Sequence, residues 1–162
     1  MRMRISFLLF VVSLFHLSTV AYAQTGKVPP FRMVQKNGKV YKAENLPLVM
    51  PIIIFYFSPE CEECHSVLEE ILSRMEEFKS ASTAMITYLS VESVAKFVDD
   101  NNPEKYPNMF VGTEGNLLFV LNYYDIVQFP FIALYTREGN LVKKYYNNQI
   151  DIDDLLRNLR RI

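Results

Sequence analysis

Apolar positions recur along this chain with two periods, and each marks one kind of element. Met50 to Phe57 is an apolar run with no polar alternation. That predicts a strand buried on both faces, as in a parallel sheet. From the next segment the spacing changes. Cys64, Val67, Leu68, Ile71, Leu72, Met75 and Phe78 follow the i, i+3, i+4, i+7 pattern of an amphipathic helix. Ala84 to Leu89 reads as a second apolar strand, and Ser90 as the cap of a short helix through Val98. Residues 99–115 are polar and turn-rich and read as a long connection. Asn116 to Tyr123 predicts a short helix. Phe131 to Tyr135 predicts a third strand, turned by Arg137 to Asn140 into a fourth at Leu141 to Tyr146. A last helix starts near Asp151 and places Ile152, Leu155, Leu156, Leu159 and Ile162 on one face. Upstream, Phe31 to Gln35 and Lys39 to Tyr41 flank an Asn37-Gly38 turn and predict a hairpin. Strands alternating with helices predict an α/β domain, with a central mixed sheet between helices and an added N-terminal hairpin.

The first residues follow neither period. Met1 to Arg4 is basic, Ile5 to Phe15 is almost unbroken apolar sequence, and Ala21-Tyr22-Ala23 has small residues at the outer positions. That is the layout of a secretory signal peptide over 1–23, with the domain at 24–162. The apolar core is shorter than the ~20 residues of a membrane span. An uncleaved anchor is the alternative reading. With the leader removed, 139 residues remain, enough for one domain with its own core. Their 15 basic and 18 acidic residues form no polybasic patch, so nucleic-acid binding lacks electrostatic support.

Both cysteines lie in one stretch, Cys61-Glu62-Glu63-Cys64-His65. Two cysteines three apart close a tiny loop that restrains the unfolded chain little, which argues against a structural staple. Two chemistries remain: a redox dithiol, or a c-type haem attachment with His65 as axial ligand. His65 is the sole histidine after the leader. Against haem, the residues before Cys61 form a strand, whereas a haem needs an open pocket. His65 also has a plainer account, as a solvated residue on the helix face opposite the apolar stripe. A zinc site at Cys61, Cys64 and His65 suffers from the adjacency of His65 to Cys64, which points them apart on a helix.

A buried strand running into C-x-x-C at a helix start resembles the thioredoxin superfamily. Tyr124-Asp-Ile-Val-Gln-Phe-Pro130 leading into Phe131 to Tyr135 is similar to that superfamily's segment with a cis-proline facing the dithiol. The likeness covers roughly Phe31 to Ile162. The leader, the hairpin and the long connection resemble the exported, TlpA-like branch. The sequence departs from thioredoxin at Glu60, where tryptophan is usual, at Glu62-Glu63 in place of Gly-Pro, and at Phe55 in place of a buried Asp.

The resemblance implies a thioredoxin-like three-layer fold and a thiol–disulfide oxidoreductase of the cell envelope, in the periplasm. Cys61 would be the nucleophile, Cys64 the resolving residue, and Phe129 with Pro130 (cis) the substrate-binding backbone. Glu62 and Glu63 would tune the potential: like charge disfavours a thiolate, so the pair argues for a reducing couple. The sulfurs carry the electrons, so neither cofactor nor metal is called for. The implied partners are exported protein thiols and disulfides, with a membrane thiol reductant as a candidate electron donor. A non-catalytic thioredoxin-fold binding module is the alternative of a different class.

Overall fold

The computed structural model describes residues 26–47 and 49–162. The proposed leader lies outside the described residues. No helix among the described residues is long and apolar enough to cross a membrane.

Seven strands form one mixed sheet. They are β1 (Arg32–Val34), β2 (Val40–Lys42), β3 (Ile52–Tyr56), β4 (Ser82–Thr87), β5 (Met109–Thr113), β6 (Phe131–Tyr135) and β7 (Leu141–Tyr146), in the order β2-β1-β5-β4-β3-β6-β7. Strands β3, β4 and β5 are mutually parallel, while β6 runs antiparallel to β3. The helices are α1 (Glu62–Ser73), α2 (Met75–Phe78), α3 (Val91–Asn101), α4 (Phe119–Tyr123) and α5 (Ile152–Leu159).

The apolar run of β3 needs no polar alternation because both faces are covered. Ile53, Phe55 and Phe57 pack with Leu68 and Ile71 of α1, Phe97 of α3 and Leu155 of α5. Ile52, Ile54 and Tyr56 pack on the opposite side with Phe31, Val120 and Tyr124. The side-chain alternation of a strand thus divides one apolar run between two cores.

Four expectations are corrected. The 99–115 connection contains strand β5, paired with β4 on one side and with β1 on the other. Its short sequence, Met-Phe-Val-Gly-Thr, is interrupted by Gly112. A Cβ at that glycine would lie 2.9 Å from both Met33 Cγ and the Val34 carbonyl oxygen, so close approach of β1 demands glycine. The second strand lies two residues earlier than expected, at Ser82–Thr87. The helix expected to run unbroken to Phe78 stops at Ser73, where Arg74 (φ −114°, ψ 25°) leaves helical geometry. Its guanidinium bonds Glu77 at 2.9 Å and Asp153 at 2.7 Å instead. The segment from Asn116 is a 3-10 turn (Gly115–Leu117), a left-handed Leu118 (φ 47°), and then α4.

The other elements follow their sequence signals. The hairpin turns at Gly38 (φ 78°), a left-handed position that suits glycine. Ser90 accepts from the Ser93 N–H at 3.2 Å to start α3, which extends to Asn101. Asp151 accepts from the Asp154 N–H at 2.9 Å to start α5.

Candidate active site

Strand β3 delivers the chain to the dithiol. After Phe57, whose N–H is donated to Ile86 at 3.0 Å, Ser58-Pro59-Glu60 turns the backbone into α1. Proline suits this turn because it cannot donate into a continuing ladder. The Cys61 N–H closes the turn on the Ser58 carbonyl at 3.1 Å.

Cys61 is the N-cap of α1, in extended conformation (φ −95°, ψ 116°). Its Sγ takes the place of a capping oxygen: the Cys64 N–H donates to it at 3.1 Å. Cys61 and Cys64 are joined in a disulfide, with Cα atoms 5.2 Å apart. Cys64 is 2% exposed and belongs to the α1 face of the core, while Cys61 is half-buried at the surface. One sulfur is therefore reachable from outside and the other is held one turn inside.

Glu62 and Glu63 occupy the first turn of the helix, where the dipole favours acidic residues. Glu63 Oε2 stands 3.8 Å from Cys61 Sγ, so a negative group adjoins the outer sulfur. Phe55 is fully buried and stacks with Phe57 at 5.6 Å, and no carboxylate replaces thioredoxin's Asp at that strand position.

The Phe129–Pro130 peptide bond is cis. Pairing of β3 with β6 sets Phe131 opposite Tyr56, so Phe129 and Pro130 enter the sheet at the edge where β3 leaves for the dithiol. The Phe129 ring stacks between Tyr56 at 5.9 Å and Tyr88 at 5.6 Å. The sheet thus brings the two sequence-distant candidate segments to one edge.

Two residues differ from, or were missed by, the sequence reading. His65 is not simply solvated. Its Nε2 lies 2.8 Å from the Pro59 carbonyl oxygen, and its ring sits 5.8 Å from that of Phe97. Glu114, read as part of a connection, is a buried carboxylate just after β5. It accepts from the Tyr56 hydroxyl at 2.7 Å and from the Val120 and Leu121 N–H groups at 2.7 and 3.3 Å. Burial, then Glu114, holds the Tyr56 phenol well above its ordinary pKa, so it stays protonated as the donor. A lone Glu in a turn-rich segment carries no sequence signal for such a role. Among the described residues, no three His, Cys, Asp or Glu side chains converge as a metal site.

No family model matches the chain. No curated protein matches it either. Solved structures do. A secreted disulfide oxidoreductase of Mycobacterium tuberculosis superposes with a TM-score of 0.65 at 15% identity, over 82% of this chain and 96% of that one. An exposed lipoprotein thioredoxin of Streptococcus pneumoniae gives 0.63 at 19% identity, over 83% and 100%. The thioredoxin domain of a thiol-disulfide oxidoreductase of Bacteroides vulgatus gives 0.65 at 19% identity, over 83% and 94%. The fold is that of thioredoxin.

Proposed function

We propose that this protein is an exported thiol–disulfide oxidoreductase of the cell envelope that reduces disulfides in other exported proteins. The observation that carries the proposal is the asymmetry of the sulfur pair on the thioredoxin fold. Cys61 is accessible and capped by the Cys64 N–H, while Cys64 is buried one turn in. Helix N-termini stabilise thiolates, and the thiolate is the attacking species. The haem reading has less support: His65 is engaged with Pro59, and Cys64 faces the core.

In the reaction, the Cys61 thiolate attacks one sulfur of a substrate disulfide. A Cys61–substrate bond forms, the substrate bond breaks, and the departing sulfur takes up a proton. The Cys64 thiolate then attacks Cys61 Sγ. The Cys61–Cys64 bond forms, the second substrate sulfur leaves and is protonated, and two electrons have passed to the substrate. An external thiol reductant, such as a membrane-borne one, restores the dithiol. The backbone at Phe129 and Pro130, at the sheet edge beside the dithiol, serves to hold the substrate chain as an added strand. Export agrees with the basic-apolar leader and with the secreted and surface-exposed proteins among the structural neighbours.

The test is a redox titration of the protein beginning at Gln24, read by alkylation and intact mass. A single two-thiol transition near about −270 mV supports a reductant, and one near about −120 mV overturns the direction. No transition at all overturns the oxidoreductase reading. Cys61→Ser should abolish reduction of a disulfide-bonded substrate. Cys64→Ser should trap a mixed disulfide. A Cys61→Ser variant that loses nothing would favour a binding module.

A further inference from the structure

We propose that His65 is a positioning residue for the dithiol: its imidazole clamps the turn that holds Cys61 at the N-terminus of α1. The inference rests on the redox reading above and names a residue that sets the poise of that site.

Ser58-Pro59-Glu60 is short, and few bonds hold it: Cys61 N–H to the Ser58 carbonyl at 3.1 Å, and a longer Glu60 N–H contact to Ser58 Oγ at 3.4 Å. His65, in the second turn of the helix, reaches back to the Pro59 carbonyl at 2.8 Å. A carbonyl oxygen can only accept, so Nε2 carries the hydrogen and the tautomer is assigned by the partner. The backbone of the same residue donates to the Cys61 carbonyl at 3.2 Å. One residue therefore grips the turn on both sides of Glu60. The ring lies 5.8 Å from that of Phe97 of α3, a packing contact separate from the hydrogen bond, and Phe97 itself packs at 4.5 Å on Phe57, the last buried residue before the turn.

The consequence falls on Cys61 Sγ. Its capping bond from the Cys64 N–H exists because Cys61 stays extended, just outside the helix. In the reduced protein that N–H stabilises the thiolate, and thiolate stabilisation favours the reduced form. A looser turn weakens the cap, disfavours the reduced form and makes the couple more reducing.

Three variants test this. His65→Leu keeps the bulk against Phe97 and removes the donor. His65→Gln places an amide donor at nearly the same reach. Phe97→Leu removes the ring contact and leaves the donor. The readouts are the glutathione exchange equilibrium and the alkylation rate of reduced Cys61 at neutral pH, with circular dichroism to confirm folding. His65→Leu should shift the equilibrium up to tenfold toward the disulfide, about 30 mV more negative. It should also slow alkylation several-fold. His65→Gln should lie within twofold of the unsubstituted protein, and Phe97→Leu should leave both readouts in place. The clamp is overturned if His65→Leu matches the unsubstituted protein, if His65→Gln shifts as far as His65→Leu, or if Phe97→Leu reproduces the shift. Should His65→Leu fail to fold, His65→Asn, whose shorter amide stops short of the Pro59 carbonyl, should show the same shift, and an unshifted His65→Asn overturns the clamp. An unsubstituted protein without any two-thiol transition would instead sink the proposed function, a separate and recognisable result.

Discussion

The Tyr56 hydroxyl donates to Glu114 Oε1 at 2.7 Å, and both side chains are buried. The bond ties the end of β3 to the segment after β5, across 58 residues of sequence. The same carboxylate receives the N–H groups of Val120 and Leu121 in the first turn of α4. Since Phe129 stacks on the Tyr56 ring, this one buried acceptor supports the aromatic floor beneath the segment entering β6.

Glu114→Ala should therefore be severe. It leaves a buried hydroxyl and a buried N–H without a partner, at roughly 1–3 kcal/mol each. A loss of about 2–6 kcal/mol in urea unfolding is expected. Glu114→Gln retains one acceptor and should cost about half as much. A Glu114→Ala protein as stable as the parent would show that water replaces the carboxylate.

Replacing Glu62-Glu63 with Gly-Pro should raise the midpoint potential. Glu63 Oε2 lies 3.8 Å from Cys61 Sγ, and its charge opposes the thiolate. Removing that opposition favours the reduced form and a more oxidising couple, by about 30 mV for a tenfold change in the exchange constant. An unchanged or lower midpoint in the redox titration would mean that the two glutamates serve the helix dipole alone.

Acid should unfold the protein partly through Asp154. Hydrogen bonds from Lys143 and Tyr145, with Arg157 close by, lower its carboxyl to about 2. A carboxylate whose folded pKa lies below its unfolded value near ~3.9 adds stability above that value. That stability is lost as pH falls from about 4 toward 2. The group is partly open to solvent, so the contribution is on the order of 1 kcal/mol. Asp154→Asn should be less stable than the parent at pH 7, and the gap should close by pH 2. A gap independent of pH, in urea melts at pH 7, 4 and 2, would remove the electrostatic account.

The candidate chemistry was legible at Cys61 and Cys64 because a buried strand, a turn and a strongly periodic helix surround them in one continuous stretch. Pro130 stood out through the resemblance of the segment from Tyr124 to Tyr135 to the thioredoxin superfamily's cis-proline segment, and its peptide bond is cis. The sequence determined β3 and β6 through unbroken apolar runs, β7 through the turn at Arg137 to Asn140, and α1 up to Ser73 and α5 through the helical spacing of their core residues. Strand β5 left no such signal. It is defined by partners on either side, and its Gly112 is explained by Met33 and Val34 pressing on it. His65 and Glu114 were equally dark. Each acts through particular contacts, His65 with the Pro59 carbonyl and Glu114 with the Tyr56 hydroxyl and the Val120 and Leu121 N–H groups, whose geometry exists after the turn closes or the sheet assembles. Periodicity reports burial of an element as a whole. A hydrogen bond between two particular atoms has no period, and the tertiary structure alone decided those pairs.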